Sequence, residues 1–262
     1  MKERVDVILT RTGGGEIIDA TFRRARSSDV GAMHELSKPF VAAGQLIERD
    51  IELFDASVED FHVVEIDHEI AGCAGIRRFG GLAEIFNVAV GERWQGLGLG
   101  RFLLASMLIV LAEEGFSDAL VFTRTTRDWF ARHGFAVLDA SALPAERIAM
   151  IDPERESVPM TRPTVRGEDG VDVVPQLAGL RVKFAASGVE LDWDGRIDSL
   201  LPFAEKNGIE VDSLCWGGVC GTCSTKLTCG TVSYHLQPEV TPPNGEVLLC
   251  IARPVTDLVL DL

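Results

Sequence analysis

The stretch CWGGVCGTC, residues 215–223, decides the fold of the second half of this 262-residue chain. It places Cys215, Cys220 and Cys223 in the order C-x4-C-x2-C, and Cys250 follows after 26 further residues in the run LLCIARP. The glycines at positions 217, 218 and 221 permit backbone conformations that are closed to other residues, so the short loop can wrap three thiolates around one metal centre. The fourth thiolate has to come from a distant segment.

This spacing is typical of the ligand set of a plant-type [2Fe-2S] cluster, which is held by four cysteine thiolates. A structural zinc site is the alternative interpretation. Zinc sites usually contain two C-x2-C units, and only one such unit occurs here. The sequence therefore predicts a [2Fe-2S] cluster bound by Cys215, Cys220, Cys223 and Cys250.

The pattern around the cysteines predicts two short strands, a helix, the cysteine loop and a final strand. These elements are expected at residues 181–185, 189–193, 198–206 and 256–262. Strand, strand, helix, cluster loop, strand is the order of the β-grasp fold, and from about residue 179 onward the chain resembles the plant-type ferredoxin module. Trp216 departs from that module, where a small or basic residue is usual. Its indole either shields the cluster or faces a partner protein.

Charge and composition restrict the partners and the compartment. The chain has 25 Lys and Arg against 40 Asp and Glu, a formal net charge of −15, which disfavours nucleic acid and anionic membranes as partners. The longest apolar run, 102–112, is too short to cross a bilayer, and Asp6 interrupts the apolar stretch at the N-terminus, so we expect no secretory signal. With four of six cysteines assigned to a cluster, the sequence predicts reducing cytoplasm.

A proline-rich, polar stretch at 152–176 predicts a boundary between two domains. Upstream of it, strand-like and helix-like patterns alternate, which indicates an α/β (α+β) domain. The expected elements are strands at 21–25, 61–66, 70–77, 83–90 and 119–123, and helices at 29–37, 101–114 and 126–133. The predicted organisation is an N-terminal extension at 1–19, a first domain at 20–160, a linker at 161–178 and a second, smaller domain at 179–262.

A second motif, Gln95-Gly96-Leu97-Gly98-Leu99-Gly100, lies between the strand at 83–90 and the helix at 101–114. Glycines in such a turn let consecutive N–H groups point into one concavity, and the following helix adds the positive end of its dipole, so a pyrophosphate fits there. Taken alone, the motif also suits a dinucleotide fold or a simple tight turn. The loop does not end in GKS or GKT, which argues against a P-loop nucleotide site.

In its context, Q-x-x-G-x-G after NVAV, this loop resembles the acetyl-CoA loop of the GNAT acetyltransferases. The runs MHELSKPFVAAGQLIERD, LAEIFNVAV, VFTRTTRDWFARHGF and ALPAERIAMIDPERES narrow the resemblance to the acetyltransferase domain of N-acetylglutamate synthase, over about residues 20–160. The resemblance implies a GNAT fold, acetyl-CoA as the donor and a place in arginine biosynthesis. By the same resemblance, Val88 and Val90 contact pantetheine, and the pyrophosphate is held by Gln95, Gly96, Leu97, Gly98, Leu99, Gly100 and Arg101.

The resemblance also suggests substrate residues. It places Lys38, Arg155 and Ser157 against the carboxylates of an acidic amino acid, although lysine stands where arginine is common and lacks its bidentate geometry. Many GNAT enzymes use a tyrosine as the acid at the position of Phe130, and its absence matches the synthase subfamily. Glu84 is the candidate general base, because the attacking amine must lose a proton. The alternative is a solvated carboxylate on a strand.

Three functional interpretations follow. The first is an N-acetyltransferase for the α-amine of glutamate or a similar amino acid, with the [2Fe-2S] domain serving electron transfer, redox sensing or partner docking. The second is an electron carrier for a separate oxidoreductase, in which the GNAT domain is a degenerate acyl-CoA-binding module. The third is an acetyltransferase for another amine. The chain has no flavin or nicotinamide motif, so a redox partner protein would have to supply the electrons.

Overall fold

A computed structural model describes residues 4–10, 17–164, 180–195, 197–234, 236, 238–243 and 245–262. Most strands are antiparallel and form two sheets. The strands are β1 (Arg4–Thr10), β2 (Ile17–Arg24), β3 (Phe61–Ile66), β4 (Glu69–Phe79), β5 (Leu82–Val90), β6 (Asp118–Thr123), β7 (Ala136–Val137), β8 (Val158–Pro163), β9 (Arg181–Phe184), β10 (Val189–Asp192), β11 (Ser224–Cys229), β12 (Thr231–Tyr234), β13 (Glu246–Leu248), β14 (Ala252–Pro254) and β15 (Leu258–Leu260).

Six α-helices accompany these strands in the described part of the chain. They are α1 (Val30–Ala42), α2 (Ile51–Ala56), α3 (Leu99–Glu113), α4 (Arg127–Arg132), α5 (Ala145–Ile148) and α6 (Leu200–Lys206). The helix α3 is apolar on nearly every side, since it packs into the main core beside β3, β4 and β5. No helix in these ranges is both long and apolar enough to cross a membrane.

The elements predicted from periodicity are confirmed, with ends that move by a few residues. The strand expected at 83–90 is β5, and the helix expected at 101–114 is α3, which begins two residues earlier at Leu99. The helix expected at 29–37 continues to Ala42 through Pro39. The pattern did not predict α2, because six residues are too few to display a helical period.

The stretch predicted as a tail and linker begins with ordered structure. The strand β8 crosses the predicted domain end at residue 160, reaches Pro163 and pairs along its length with β6. Its six residues alternate too weakly in polarity to be recognised as a strand, since two prolines lie within it. Residues 165–179, which include most of the predicted linker, lie outside the described residues.

A widening gap between two neighbouring parallel strands positions the first site. The strands β5 and β6 pair only at Ala83–Ala119 and Glu84–Leu120. On its other side, β5 has a register shift against β4, and Asn87 there adopts a positive φ of 53°. Such a bulge bends a strand and raises its twist. The far end of β5 therefore leaves β6 and exposes one backbone edge.

The two sequence domains share one sheet. The ten-stranded sheet has the order β14-β12-β1-β2-β3-β4-β5-β6-β8-β7, so β1 of the N-terminal extension lies between β2 of the first domain and β12 of the second. The smaller sheet has the order β10-β9-β15-β11-β13 and packs with α6 around a separate core. The architecture is a mixed α/β fold with a smaller, sheet-rich second domain.

One buried histidine in β3 makes folding sensitive to pH. His62 is 3% exposed, and its ring stacks on Phe22 at 5.2 Å. Within the described residues its Nδ1 atom has no hydrogen-bond partner. Burial, assisted by the charge of Arg24, lowers the pKa of His62 to about 4. The folded state therefore binds fewer protons than the unfolded state below the ordinary histidine pKa.

We expect the free energy of unfolding to fall as pH drops from about 6.5 to about 4, on the order of 1 kcal/mol per pH unit. His62→Phe should reduce this slope, because it removes the contribution of His62 and leaves those of other groups, such as His133, whose pKa is also lowered by burial. His68→Gln is the control, since the His68 side chain is almost fully exposed. Chemical denaturation at several pH values measures the slope, and equal slopes in the unmodified protein and His62→Phe would contradict the prediction.

Candidate functional site

A cavity of about 560 Å³ occupies the gap between β5 and β6. Its walls are mainly apolar, and the glycine loop closes one end. The lining residues are Phe40, Gln45, Leu46, Ile85, Phe86, Asn87, Val88, Val90, Gln95, Gly96, Gly98, Leu99, Gly100, Arg101, Phe122, Thr123, Thr126, Trp129 and Phe130. The volume lies in the range of ordinary small-molecule sites.

The glycine loop has the geometry of an anion site. Gly96 and Gly98 take positive φ angles of 78° and 79°, which favour glycine. The first hydrogen bond of α3 runs from the Phe102 N–H to the Gly98 carbonyl at 3.0 Å. The N–H groups of Leu99 and Gly100 lie in the first turn, before this bond, and stand at the positive end of the helix. The Gln95 side chain donates to the Val90 carbonyl at 3.0 Å, which ties the loop to the end of β5.

The structure brings together almost all of the residues expected to bind acetyl-CoA. Val88, Val90 and every residue from 95 to 101 except Leu97 line the cavity. Leu97 is 8% exposed and packs into the main core instead. The roles of these residues at pantetheine and pyrophosphate stay predictions.

Glu84 is buried rather than solvated, so the alternative of a solvent-exposed strand carboxylate is wrong. It is 3% exposed, and its carboxylate accepts two hydrogen bonds from Arg147, at 2.6 Å from Nε and 3.2 Å from Nη2. The Arg147 guanidinium in turn lies 3.7 Å above the ring of Phe122. This arrangement is a buried bidentate ion pair at the narrow end of the gap. If Glu84 is the general base, as predicted, its carboxylate accepts the proton while it is paired with Arg147.

The three predicted substrate residues occupy different surroundings. Lys38 lies on the exposed side of α1, where its ammonium pairs with Glu35 at 2.5 Å. Arg155 donates to the carbonyl of Gln45 at 2.9 Å, and Gln45 lines the cavity. Ser157 is half-buried just before β8. Of the three, Arg155 is the residue that the structure holds against a cavity-lining segment.

Two further arginines at this end were not recognised from the sequence. The Arg49 guanidinium lies 5.0 Å from the centre of the Phe86 ring and donates to Asn87 at 3.0 Å, while Arg77 lies 4.3 Å from the same ring. Burial first, and then the positive charge of Arg77, lower the pKa of Arg49 to about 10. In the sequence, Arg49 lies between Glu48 and Asp50, a pattern that is typical of an exposed loop. Only its tertiary contacts therefore identify it as a candidate site residue.

Two hydroxyl groups at the end of β6 were also missed. Thr123 and Thr126 lie 2.7 Å apart, oxygen to oxygen, and both line the cavity. Phe130, at the position where a catalytic tyrosine is common, lies beside them in the cavity wall. Threonines after a strand are common cap residues, which is why the sequence pattern did not distinguish them.

The four cysteines predicted to bind the cluster lie in two pairs. Cys215 and Cys220 contact one another at the surface, and buried Cys223 and Cys250 contact one another beneath them. The N–H groups of Val219 and Cys220 point at the Cys215 sulfur, at 3.3 and 3.4 Å. Hydrogen bonds from the Gly217 and Cys220 backbones lower the pKa of the Cys215 thiol to about 6, whereas burial raises the pKa of Cys250 to about 12.

This donor set fits a [2Fe-2S] cluster. Two irons with two protein thiolates each require two pairs of cysteines, and N–H groups aimed at sulfur stabilise thiolate charge. Among the residues that the structure describes, no three His, Cys, Asp or Glu side chains are grouped as one metal ion would need. Gly218 and Gly221 take positive φ angles of 75° in the loop, and a Cβ at Gly218 would lie 2.7 Å from Ile251. The loop thus depends on glycine at these positions.

Comparison with protein families agrees with both sites. Residues 30–135 match the model of the acetyltransferase (GNAT) family, and residues 183–255 match the 2Fe-2S iron-sulfur cluster binding domain. The chain contains a GNAT acetyltransferase domain followed by a [2Fe-2S] domain. The fold class inferred from the sequence and the cluster as a cofactor are confirmed.

Relatives of the GNAT domain are amino-acid acetyltransferases. One from Pseudomonas putida is 30% identical over 162 residues, which are 60% of this chain and 38% of that protein. Another, from Shewanella oneidensis, is 28% identical over 52% of this chain and 31% of its own length. The chain thus spans little more than a third of the curated relatives that it matches.

Solved structures point the same way. The N-acetylglutamate synthase of Neisseria gonorrhoeae, complexed with coenzyme A and N-acetyl-glutamate, aligns with a TM-score of 0.54 and 28% identity over 56% of this chain and 35% of that chain. The same enzyme complexed with coenzyme A and L-arginine aligns with a TM-score of 0.50. These likenesses concern the GNAT domain.

The ion pair of Glu84 with Arg147 predicts a loss of stability in Glu84→Gln. We expect the free energy of unfolding to fall by about 3 kcal/mol, because a buried guanidinium loses its charged partner. Asp60→Asn, which breaks an exposed pair with Arg78, is the control and should change stability by less than about 1 kcal/mol. If Glu84→Gln unfolds like the unmodified protein while kcat drops, Glu84 acts as the base instead of as a structural partner.

For the cluster, we expect purified protein to show the visible absorption and the reduced-state electron spin resonance signal of a [2Fe-2S] centre. Cys250→Ser should abolish both, because Cys250 completes the buried pair with Cys223. Cys229→Ser is the control, since Cys229 lies at the end of β11 in the same domain. Iron and sulfide retained in Cys250→Ser, or stoichiometric zinc in anaerobically purified protein, would falsify this assignment.

Proposed function

We propose that this chain is an acetyl-CoA-dependent N-acetyltransferase that acts on the α-amine of glutamate or a similar acidic amino acid. One observation carries the proposal: a single cavity has an anion-binding glycine loop at one end, and three arginines contact other residues that line it. The loop suits the pyrophosphate of acetyl-CoA, and the arginines suit the carboxylates of the acceptor. The relatives described above are amino-acid acetyltransferases, which supports the same reaction class.

The splayed strand explains how the donor would bind. In the described part of the chain, β5 does not pair with β6 beyond Glu84, so backbone N–H and C=O groups on that side of β5 can pair with the amide groups of pantetheine. The apolar side chains of Val88 and Val90 then flank the pantetheine, and the loop N–H groups receive the phosphates. This places the thioester near the middle of the cavity, beside Thr123 and Thr126.

Charge favours an acidic acceptor. The protein as a whole carries a formal charge of −15 and repels anions, whereas Arg49, Arg77 and Arg155 gather beside Phe86 and Gln45. Each of these three residues is partly buried, and hydrogen bonds between a guanidinium and a carboxylate are charge-assisted and therefore strong. Glutamate presents two carboxylates to such a group. Lys38 has its charge engaged with Glu35 on the outer side of α1, so we assign the carboxylates to the arginines, with Ser157 as a neighbouring hydroxyl.

In the reaction, the nitrogen of the acceptor attacks the thioester carbonyl carbon. A C–N bond forms, the C–S bond breaks, the amine loses one proton and the coenzyme A thiolate gains one. The described residues that line the cavity include no carboxylate and no imidazole. Water linked to Glu84 or to bulk solvent therefore receives the proton of the amine, and solvent supplies the proton that the thiolate gains. One hydroxyl of the Thr123–Thr126 pair donates to the other, so the remaining hydroxyl hydrogen donates a hydrogen bond to the departing thiolate.

The cluster supports a second function for the same chain, exchange of electrons with a separate protein. A bound [2Fe-2S] cluster supplies one-electron chemistry. Its outer ligands, Cys215 and Cys220, are exposed, and the neighbouring apolar side chains Leu214, Trp216 and Val219 are 76%, 49% and 45% exposed. An apolar surface beside a redox centre suits a docking redox partner, and it is the observation that favours the electron-carrier function.

The substrate assignment predicts that glutamate is acetylated faster than its neutral isostere glutamine, as measured by thiol release from acetyl-CoA. Arg49→Ala and Arg155→Ala should each raise KM for glutamate about tenfold or more, because each loses a charge-assisted bond, and should leave KM for acetyl-CoA unchanged. Arg93→Ala is the matched control, since Arg93 is exposed and pairs with Glu69 outside the cavity. A preference for polyamines, or equal rates with glutamine, would reject the acidic acceptor.

A further inference from the structure

The glycine loop touches the second domain as well as the cavity. The Thr231 hydroxyl, at the start of β12, donates a hydrogen bond to the Leu97 carbonyl at 2.6 Å. Thr231 is 1% exposed, so this bond is shielded from water. The two residues are 134 positions apart in the sequence, and the bond therefore joins the two domains at the loop itself.

A second residue of the cluster domain packs on the same loop. A Cβ placed on Gly98 would overlap the methyl group of Thr256 and would lie 3.3 Å from the Thr231 hydroxyl. The Thr256 hydroxyl accepts a hydrogen bond from the Thr231 N–H at 2.9 Å, so the two threonines form one unit. Gly98 is therefore restricted to glycine by the neighbouring domain as well as by its positive φ.

The contact is anchored in both cores. Val255 belongs to the second domain, yet it is 3% exposed and packs in the main core of the first domain. Its N–H donates to the Thr231 carbonyl at 2.8 Å. Val255 lies in the segment from Cys250 to Thr256, which is only seven residues long and includes β14. One short segment thus runs from a cluster ligand to the glycine loop.

We infer that Thr231 and Thr256 are positioning residues for acetyl-CoA, which hold the loop from Leu97 to Arg101 in its anion-binding conformation from the neighbouring domain. This inference rests on the proposed function and names a part of the site that the GNAT domain alone does not contain. A loop with two left-handed glycines has many other conformations, and a contact that fixes it beforehand lowers the entropy lost when the phosphates bind. The cluster domain is then a structural component of the donor site.

The test is acetyl-CoA binding by calorimetry to the full chain with its cluster in place. Thr231→Val keeps the shape and removes the donor to Leu97, and we expect it to weaken acetyl-CoA binding by about fivefold. Thr228→Val is the matched control, since Thr228 also donates to a backbone carbonyl, that of Val259, in the same domain but away from the loop. It should bind acetyl-CoA with the affinity of the unmodified chain.

Kinetics separates positioning from general structural damage. Thr231→Val should raise KM for acetyl-CoA, leave KM for the amino acid and kcat unchanged, and keep the visible spectrum of the cluster. If Thr231→Val does not fold, Thr256→Ser takes its place, because it keeps the hydroxyl bonded to Thr231 and removes only the methyl group that packs on Gly98. Thr256→Ser should also raise KM for acetyl-CoA.

The outcomes are distinct. If Thr231→Val binds acetyl-CoA at least as tightly as the unmodified chain, the inference is overturned and the acetyltransferase function still stands. If Thr231→Val does not fold, the same result in Thr256→Ser has the same meaning. An unmodified chain that binds no acetyl-CoA overturns the proposed function and this inference with it. A fall in affinity of equal size in Thr228→Val also overturns the inference, since the effect would then lie in the stability of the cluster domain.

Discussion

The separation of β5 from β6 is the constraint on which the GNAT domain depends. The two strands pair at only two positions, Ala83 and Glu84 on β5, and then part. A sheet that opens in this way leaves backbone groups unpaired, and such groups are tolerated only where water or a ligand satisfies them. At the closed end, the buried pair of Glu84 with Arg147 joins β5 to the segment after α4. At the open end the cavity offers those backbone groups to a ligand.

Several features of the molecule follow from this gap. The bulge at Asn87 bends β5, and the ring of Phe86 settles against Gly75, where a Cβ would lie 2.5 Å from the ring. The guanidinium groups of Arg49 and Arg77 lie 5.0 and 4.3 Å from the centre of the same ring. Neighbouring Arg78 points to the opposite face of β4, where it pairs with Asp60 and Glu114. Successive side chains of a strand point to opposite faces, so Arg77 lies near the site whereas Arg78 lies on the other face of the sheet.

The second domain is more than an appended module. Through β1, the antiparallel pair of β12 and β14 continues the sheet of the GNAT domain, and Val255 packs in its core. Two domains on a flexible tether behave independently, whereas a shared sheet and a shared core make their folding cooperative. The cluster loop and the glycine loop are therefore parts of one continuous structure. The short segment from Cys250 to Thr256 connects them, because Thr256 packs against Gly98.

The sequence by itself determined what local patterns encode. Spacing specified the cluster cysteines, because loop geometry limits how four thiolates reach two irons, and glycines marked the anion loop, because positive φ angles require them. Periodicity predicted the longer helices and strands of the GNAT domain and missed the shorter α2, α5, β7 and β8. Only the tertiary structure decided which charged groups lie together. Glu84 pairs with Arg147, Lys38 pairs with Glu35 on the exposed side of α1, and Arg49 and Arg77 both lie beside the ring of Phe86. It also placed Thr231 on Leu97, 134 residues away. Contacts between distant segments depend on packing and burial of the whole chain, and no local pattern records them.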